Sequence, residues 1–415
     1  MGFRMTKSEK YWILYDVGNS AFTMLVTTIL PIYFSYLAGN EGLSSVDYLA
    51  YWGYAASIVT LIVAFLGPVL GSLADNNGFK KPIFTAMLAL GAAGCVILGF
   101  AKSWLVFLIL FIVTKAAYSA SLIFYDSMLP DITTQDRMDR VSSSGYAWGY
   151  IGSCIPFGLC LAVVLGKDFL GLSMGAAMLL AMLITAVWWV GMSVPLLKCY
   201  RQKFYVEQTQ HKFADTFKRL GKTVAKARRH SRIFWFLLAF FFYIDGVYTI
   251  IDMATSYGEA LGLDSSGLLL ALLLTQIVAF PCAIVFGRLS QKYRAENLIT
   301  VCILAYLGIA VFAIFLTNLT QFWILAVLVG MFQGGIQALS RSYFTKIIPP
   351  EQSGEFFGIY DICGKGAAFL GTTLVGLMAQ ATGSINKGIS VLSVLFIIGL
   401  VLFRIAVKAP GEQQA

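Results

Sequence analysis

A few ionisable side chains lie deep inside long apolar runs: Lys115, Asp126, Asp245, Asp252, Asp361 and Lys365. A charge held in such a run is costly unless it faces protein or water, so these positions carry most of the functional information. Lys115 and Asp126 are eleven residues apart, three helical turns, and so share a face with Ser119 between them. Asp245 and Asp252 share a face with Tyr248 between them, and Asp361 with Lys365 is an i,i+4 pair. A polar stripe of Asp16, Asn19, Ser20, Thr23 and Thr27 runs along the first apolar segment, and Tyr118, Gln333 and Gln337 add hydrogen-bonding groups. This set suits capture of a small polar solute, with or without a coupling ion, in a water-filled space between helices. The candidate binding residues are Asp16, Asn19, Lys115, Tyr118, Asp245, Tyr248, Gln337, Asp361 and Lys365. Lys115 and Asp245, from different halves of the chain, are expected to meet in a pair that breaks and re-forms. Two mid-depth lysines against one clearly mid-depth aspartate favour an anionic or carboxylate-bearing solute. The plainer alternative is mutual neutralisation in buried structural pairs, strongest for Asp361 with Lys365.

A second constellation follows the second apolar run: Gly71-Ser72-Leu73-Ala74-Asp75-Asn76-Asn77-Gly78-Phe79-Lys80-Lys81. Glycine permits close helix approach, and a carboxylate beside lysines can latch helix ends together. A degenerate echo, Gly287-Arg288-Leu289-Ser290-Gln291-Lys292-Tyr293-Arg294, stands at the equivalent place in the second half. Asp75, Lys80, Lys81, Asp126, Arg137 and Arg140 are the expected cytoplasmic gate, with Asp126 meeting Arg137, Arg140 or Asp75.

The elements that must position these groups follow from composition. Of 415 residues, 58% are hydrophobic and 12% charged, half the charged share of about a quarter in soluble chains. Twelve apolar windows are long enough to cross a bilayer: 12–38, 48–74, 82–101, 103–129, 141–166, 172–197, 233–257, 266–288, 296–317, 320–344, 355–380 and 388–407. With the N-terminus inside, twenty-five Lys and Arg fall in cytoplasmic segments and three (Lys102, Lys167, Lys387) in outer loops. That bias places both termini in the cytoplasm. The expected fold is an all-α membrane protein of twelve transmembrane helices in two six-helix bundles. Residues 1–197 form the first bundle, 198–232 a basic linker, and 233–415 the second bundle with a short tail. The linker holds eleven of the thirty basic residues and two acids, a net +9 equal to that of the whole chain. Phe213, Phe217, Leu220 and Val224 recur in it at helical spacing, an amphipathic pattern suited to the inner leaflet of the membrane.

Several classes are disfavoured. No Walker sequence is present, and the two histidines, His211 and His230, lie in the linker, so neither a metal site nor a cofactor is expected. Basic residues border apolar runs, as anionic lipid requires, which argues for membrane lipid and against nucleic acid as a partner. The seven cysteines fall in or beside the runs, and no disulfide framework is expected. The run from Trp12 is about 25 residues long, too long for the core of a cleaved signal.

The layout resembles the major facilitator superfamily, whose signature is matched after the second run by Gly71, Leu73, Asp75, Gly78, Lys80 and Lys81. Other stretches resemble its autophagy-related vacuolar effluxer branch, whose bacterial members carry the label "unknown major facilitator". They are Tyr15-Asp16-Val17-Gly18-Asn19-Ser20-Ala21-Phe22, Gly145-Tyr146-Ala147-Trp148-Gly149-Tyr150-Ile151-Gly152 and Tyr243-Ile244-Asp245-Gly246-Val247. Gly334-Gly335-Ile336-Gln337-Ala338-Leu339-Ser340-Arg341-Ser342, Glu355-Phe356-Phe357-Gly358-Ile359-Tyr360 and Gly364-Lys365 complete the match. Val17 and Ile244 depart from the branch pattern, where an aromatic and an asparagine are common. The resemblance implies alternating access of two bundles around a central site, and fungal relatives are associated with amino-acid efflux from the vacuole. The expected protein is a non-enzymatic secondary active transporter of an amino acid or similar metabolite, a functional monomer in a bacterial plasma membrane, with protons as the candidate coupling ion. The competing class is a non-transporting receptor or scaffold that uses the basic loop.

Overall fold

The computed structural model describes residues 4–207 and 231–410, and the amphipathic pattern from Phe213 to Val224 lies outside them. Side chains of a few helical residues, Lys365 among them, also lie outside the description. Every named element is a helix, as apolar segments without external partners for their backbone groups require. α1 (Lys7–Met24) continues through a π-helical turn, Leu25–Ile29, into α2 (Leu30–Asn40), where Pro31 is tolerated in the first turn. Then follow α3 (Ser45–Ala74), α4 (Lys80–Leu98), α5 (Trp104–Ser127), the single turn α6 (Leu129–Ile132), α7 (Met138–Leu165) and α8 (Met174–Cys199). The second half holds α9 (Ser231–Ala260), α10 (Ser265–Leu289), α11 (Ala295–Ile314), α12 (Leu319–Ile347), α13 (Ser353–Thr382) and α14 (Ile385–Lys408).

Among the described residues, eleven helical segments are long and apolar enough to cross a membrane. Side-chain caps start many helices. Thr6 and Glu9 close a capping box at α1, and Ser173, Asp264 and Asn318 accept first-turn amides of α8, α10 and α12.

The buried apolar side chains form two clusters. One contains only residues between Trp12 and Tyr200, and the other runs from Ile233 to Ala406 with Val59, Val63 and Ile123 added. The sequence halves meet chiefly where α3 crosses α13 and where α7 packs on α10 and α12. At the first crossing, Gly67 and Gly71 face Gly358 and Gly354, four residues apart on each helix. A Cβ on Gly71, Gly354 or Gly358 would strike the opposing helix, and one on Gly67 would strike Ile123 of α5 while touching Gly358. The ends carrying most of the basic residues, called the basic end below, gather at these crossings.

Candidate functional site

The deepest charge at the basic end is Arg341, on α12. It is 2% exposed and donates from Nη1 to Asp126 (2.9 Å) and from Nη2 to Asp16 (3.4 Å), across to the first half of the chain. Its Nε donates to Ser142 Oγ (2.9 Å) and Nη2 to the Ser142 carbonyl (3.0 Å). The guanidinium also lies 4.6 Å from the Trp12 ring centroid and 4.4 Å from that of Tyr146. A planar fork that hydrogen-bonds at its edge and stacks on its faces is a role lysine cannot fill. Asp126 therefore meets Arg341 rather than Arg137, Arg140 or Asp75. Arg137 instead binds Glu9 at 2.7 Å within the first half.

A second knot lies at the α3–α13 crossing. Asp75 accepts the amides of Gly354 (2.7 Å) and Glu355 (2.9 Å) at the start of α13, where the helix dipole favours a negative charge. Lys80, fully buried, lies 3.6 Å from Asp75 and 3.9 Å from Asp131, and donates to Ser353 Oγ and the Ser127 carbonyl. Gly78 holds the intervening loop with φ +79°. Asp131, which sequence reasoning did not single out, also accepts the Tyr200 hydroxyl (2.6 Å) and the amides of Lys203 and Phe204 (2.9 Å each). The start of the linker is thereby folded against the signature loop, with Val206 N–H donating to the Asp75 carbonyl at 2.8 Å. Burial and the adjacent Asp131 carboxylate raise the Tyr200 phenol, keeping it a donor. Lys346 and Asp139 add a 2.6 Å ion pair between α12 and α7. Lys81 is exposed, and Arg140 is half-buried where α7 crosses Gly287 of α10.

Burial pushes the Asp75 carboxyl up to about 7, against the pull of Lys80 and the two amides. If the basic end opens and Asp75 returns to water, its value falls toward about 3.9. The closed arrangement then binds the proton more tightly, so acid favours closure and raising the pH through 7 weakens it. Between pH 5 and 8 the open fraction is expected to rise several-fold, with roughly a hundredfold as the linkage ceiling. Asp75→Asn should flatten this dependence. Spin-label distances across the basic end, recorded against pH, provide the check.

Between the two ends lies a polar seam. Asp16 Oδ1 accepts from Asn19 (3.2 Å), Asn19 Oδ1 accepts from the Tyr118 hydroxyl (3.4 Å), and that hydroxyl also meets Thr23 at 2.6 Å. Lys115 sits one turn beyond, its Nζ 5.0 Å from the Tyr118 ring centroid. From the second half, Asp252 of α9 interacts electrostatically with Lys115, and its side chain is exposed although α9 is a membrane-length helix. Asp361 of α13 lies within electrostatic reach of Asp126, Tyr118 and Tyr248. Gln337 is half-buried one turn before Arg341. The expected meeting of Lys115 with Asp245 is not what the structure contains. Asp245 is fully buried, its Oδ1 accepting the Gly371 amide (3.0 Å) and the Thr249 hydroxyl (3.3 Å). Its Oδ2 has no hydrogen-bond partner among the described residues.

Comparison with known proteins follows this geometry. Residues 5–415 match the family model described as "Vacuole effluxer Atg22 like". A relative from Bacillus subtilis (strain 168), an uncharacterised MFS-type transporter named YxiO, is 43% identical over 404 residues, 96% of this chain and 94% of that protein. The chain belongs to the Atg22-like family. Autophagy-related protein 22-1 of Aspergillus niger is 27% identical over 300 residues, 66% of this chain and 48% of that protein. The match thus spans about half the length of this fungal family member. Among solved structures, the Escherichia coli fucose:proton symporter FucP superposes with a TM-score of 0.73 at 15% identity, covering 96% of this chain and 97% of that one. A bacterial homologue of the iron transporter ferroportin, in an outward-facing state with soaked iron, gives 0.71 at 13% identity, covering 98% and 99%. The Atg22-like chain therefore has the major facilitator fold, an all-α membrane architecture of a transporter family rather than an enzyme family.

Proposed function

We propose that this Atg22-like protein is a secondary active transporter of a small carboxylate-bearing metabolite, an amino acid or close relative, working by alternating access. In this reading α13 is the twelfth span, the helices form two bundles of six joined by the basic linker, and the basic end is cytoplasmic. The arrangement described is then closed to the cytoplasm by Arg341, Asp75 and Lys80, with the seam reached from outside. The observation that carries the reading is Lys115 opposite Asp252. Unlike charges from the two halves of the sequence lie within electrostatic reach of each other, and the acid's side chain is left uncovered by protein inside a membrane-length helix. A zwitterion fits such a pair, carboxylate to lysine and ammonium to aspartate, and its binding would draw the two halves together. Asp245, buried with one oxygen that has no hydrogen-bond partner among the described residues, is the candidate carrier of a coupling proton.

Reconstituted vesicles test this. Amino acids should enter in counterflow, and Lys115→Met or Asp252→Asn should each raise KM by at least about tenfold, the scale of one charge-assisted hydrogen bond. Absence of flux across a panel of amino acids and related carboxylates would remove the reading, as would full activity of both variants.

A further inference from the structure

The chain leaving α8 crosses, without forming a helix, the loop that carries Asp75 and Lys80. Exposure alternates along this strap: Gln202, Phe204 and Val206 are half-buried, while Arg201, Lys203, Tyr205 and Glu207 are exposed. That is the period of a strand laid on protein by one face. Val206 forms a parallel bridge with Asn76. Asp131, 3% exposed, anchors the strap by accepting the Tyr200 hydroxyl and the Lys203 and Phe204 amides.

Gln202 makes the most specific contact of the strap. Its Nε2 donates to the Ala74 carbonyl and its Oε1 accepts the Gly78 amide, both at 3.1 Å. Those two groups are four residues apart and would bond each other if α3 continued. Because one partner only accepts and the other only donates, they also fix which way the carboxamide points. The side chain thus stands in for a peptide unit between the last residue of α3 and the turn at Gly78. Asp75 lies inside the loop so stapled. Its carbonyl accepts from Val206 N–H at 2.8 Å, while its carboxylate must meet the Gly354 and Glu355 amides at 2.7 and 2.9 Å. A two-pronged cap of that kind demands close placement of the carboxylate, whereas an Asp75 turned to water needs none. The strap therefore acts on the closed arrangement selectively, through Asp75. We propose that Gln202 and Val206 are positioning residues of the gate, holding the Asp75 loop in the shape that caps α13. The start of the linker is then part of the closing machinery rather than a passive tether between the two halves.

This proposal rests on the reading of the basic end as the closed gate. The test uses the full-length protein in proteoliposomes, cysteine-depleted and spin-labelled at the exposed positions Gln135 and Lys292, outside both the strap and the Asp75 loop. Gln202→Met removes the staple at nearly constant shape. Val206→Pro deletes the N–H that reaches Asp75, and Val206→Ala keeps it. Gln202→Met and Val206→Pro should each raise the open-to-closed ratio about tenfold, the scale of one or two hydrogen bonds, while Val206→Ala matches wild type. In an Asp75→Ala background, Gln202→Met should add less than about twofold, because no carboxylate remains to be placed. Wild-type distances in both Gln202→Met and Val206→Pro overturn the proposal. So does a full tenfold effect of Gln202→Met without Asp75, which would make the strap a brace for the first half alone. Arg341→Ala is the reference: if it too leaves the distance unchanged, the gate reading fails, an outcome distinct from failure of the strap.

Discussion

Arg341→Ala is expected to lower initial transport rates by about a hundredfold or more and to release the closure of the basic end. In the closed arrangement the guanidinium is the shared partner of Asp16 and Asp126, and it is 2% exposed. Its removal leaves two carboxylates facing a desolvated gap, with Asp361 close enough to add to the repulsion on Asp126. Removing one partner of a buried ion pair typically costs about 3–5 kcal/mol. That cost falls on the closed state alone, since opening returns the carboxylates to water. A shift of this size moves a conformational equilibrium by roughly two to four powers of ten. Spin labels at the exposed positions Lys81 and Lys292, in a cysteine-depleted background, should show a longer distance distribution in the variant. Arg341→Lys should behave intermediately, because it keeps the charge but loses the bidentate geometry and the stacking on Trp12 and Tyr146. A distance distribution and transport rate matching wild type in Arg341→Ala would mean that the latch does not hold the state closed.

The membrane-length helices were legible from hydropathy because nothing but an apolar run of that length satisfies a bilayer. The α3–α4 loop was legible because Gly71, Asp75, Gly78 and Lys80 have separable roles in close approach, capping, turning and charge balance. What the sequence hid was partner choice. Arg341 lay within the apolar window 320–344, yet counting it with the basic residues at span ends concealed its depth. A basic residue inside a predicted span was the available signal. Asp131 gave no such sign, since its partners Tyr200, Lys203 and Phe204 lie about seventy residues away and reach it only when the linker folds back. Asp245 and Asp252 are seven residues apart, almost two full turns, so helical periodicity treats them alike. Packing separates them: Gly371 brings an amide against Asp245, while Asp252 faces the seam.

The separation of those two aspartates sets the second large effect. Asp245→Asn is expected to abolish accumulation driven by a pH gradient, by about fiftyfold or more, while solute exchange stays within about threefold of wild type. The native carboxyl accepts two hydrogen bonds at Oδ1, from Gly371 and Thr249, and, among the described residues, none at Oδ2. An ionised group there would leave one charged oxygen without a donor in a fully buried site, a desolvation that burial makes expensive. A neutral carboxyl suits the closed arrangement, and ionisation requires that the site gain water or a new donor. Such a group takes up a proton in one state and releases it in another, which is the requirement for coupling. Asparagine keeps the Oδ1 acceptor and the volume but has no proton to exchange, so the helices still pack while the gradient loses its handle. Exchange, which needs no net proton movement, serves as the folding control. The decisive measurement is gradient-driven uptake beside counterflow in the same vesicles. Equal loss of both would make Asp245 a packing residue for α13, and undiminished accumulation would place the coupling ion elsewhere in the seam.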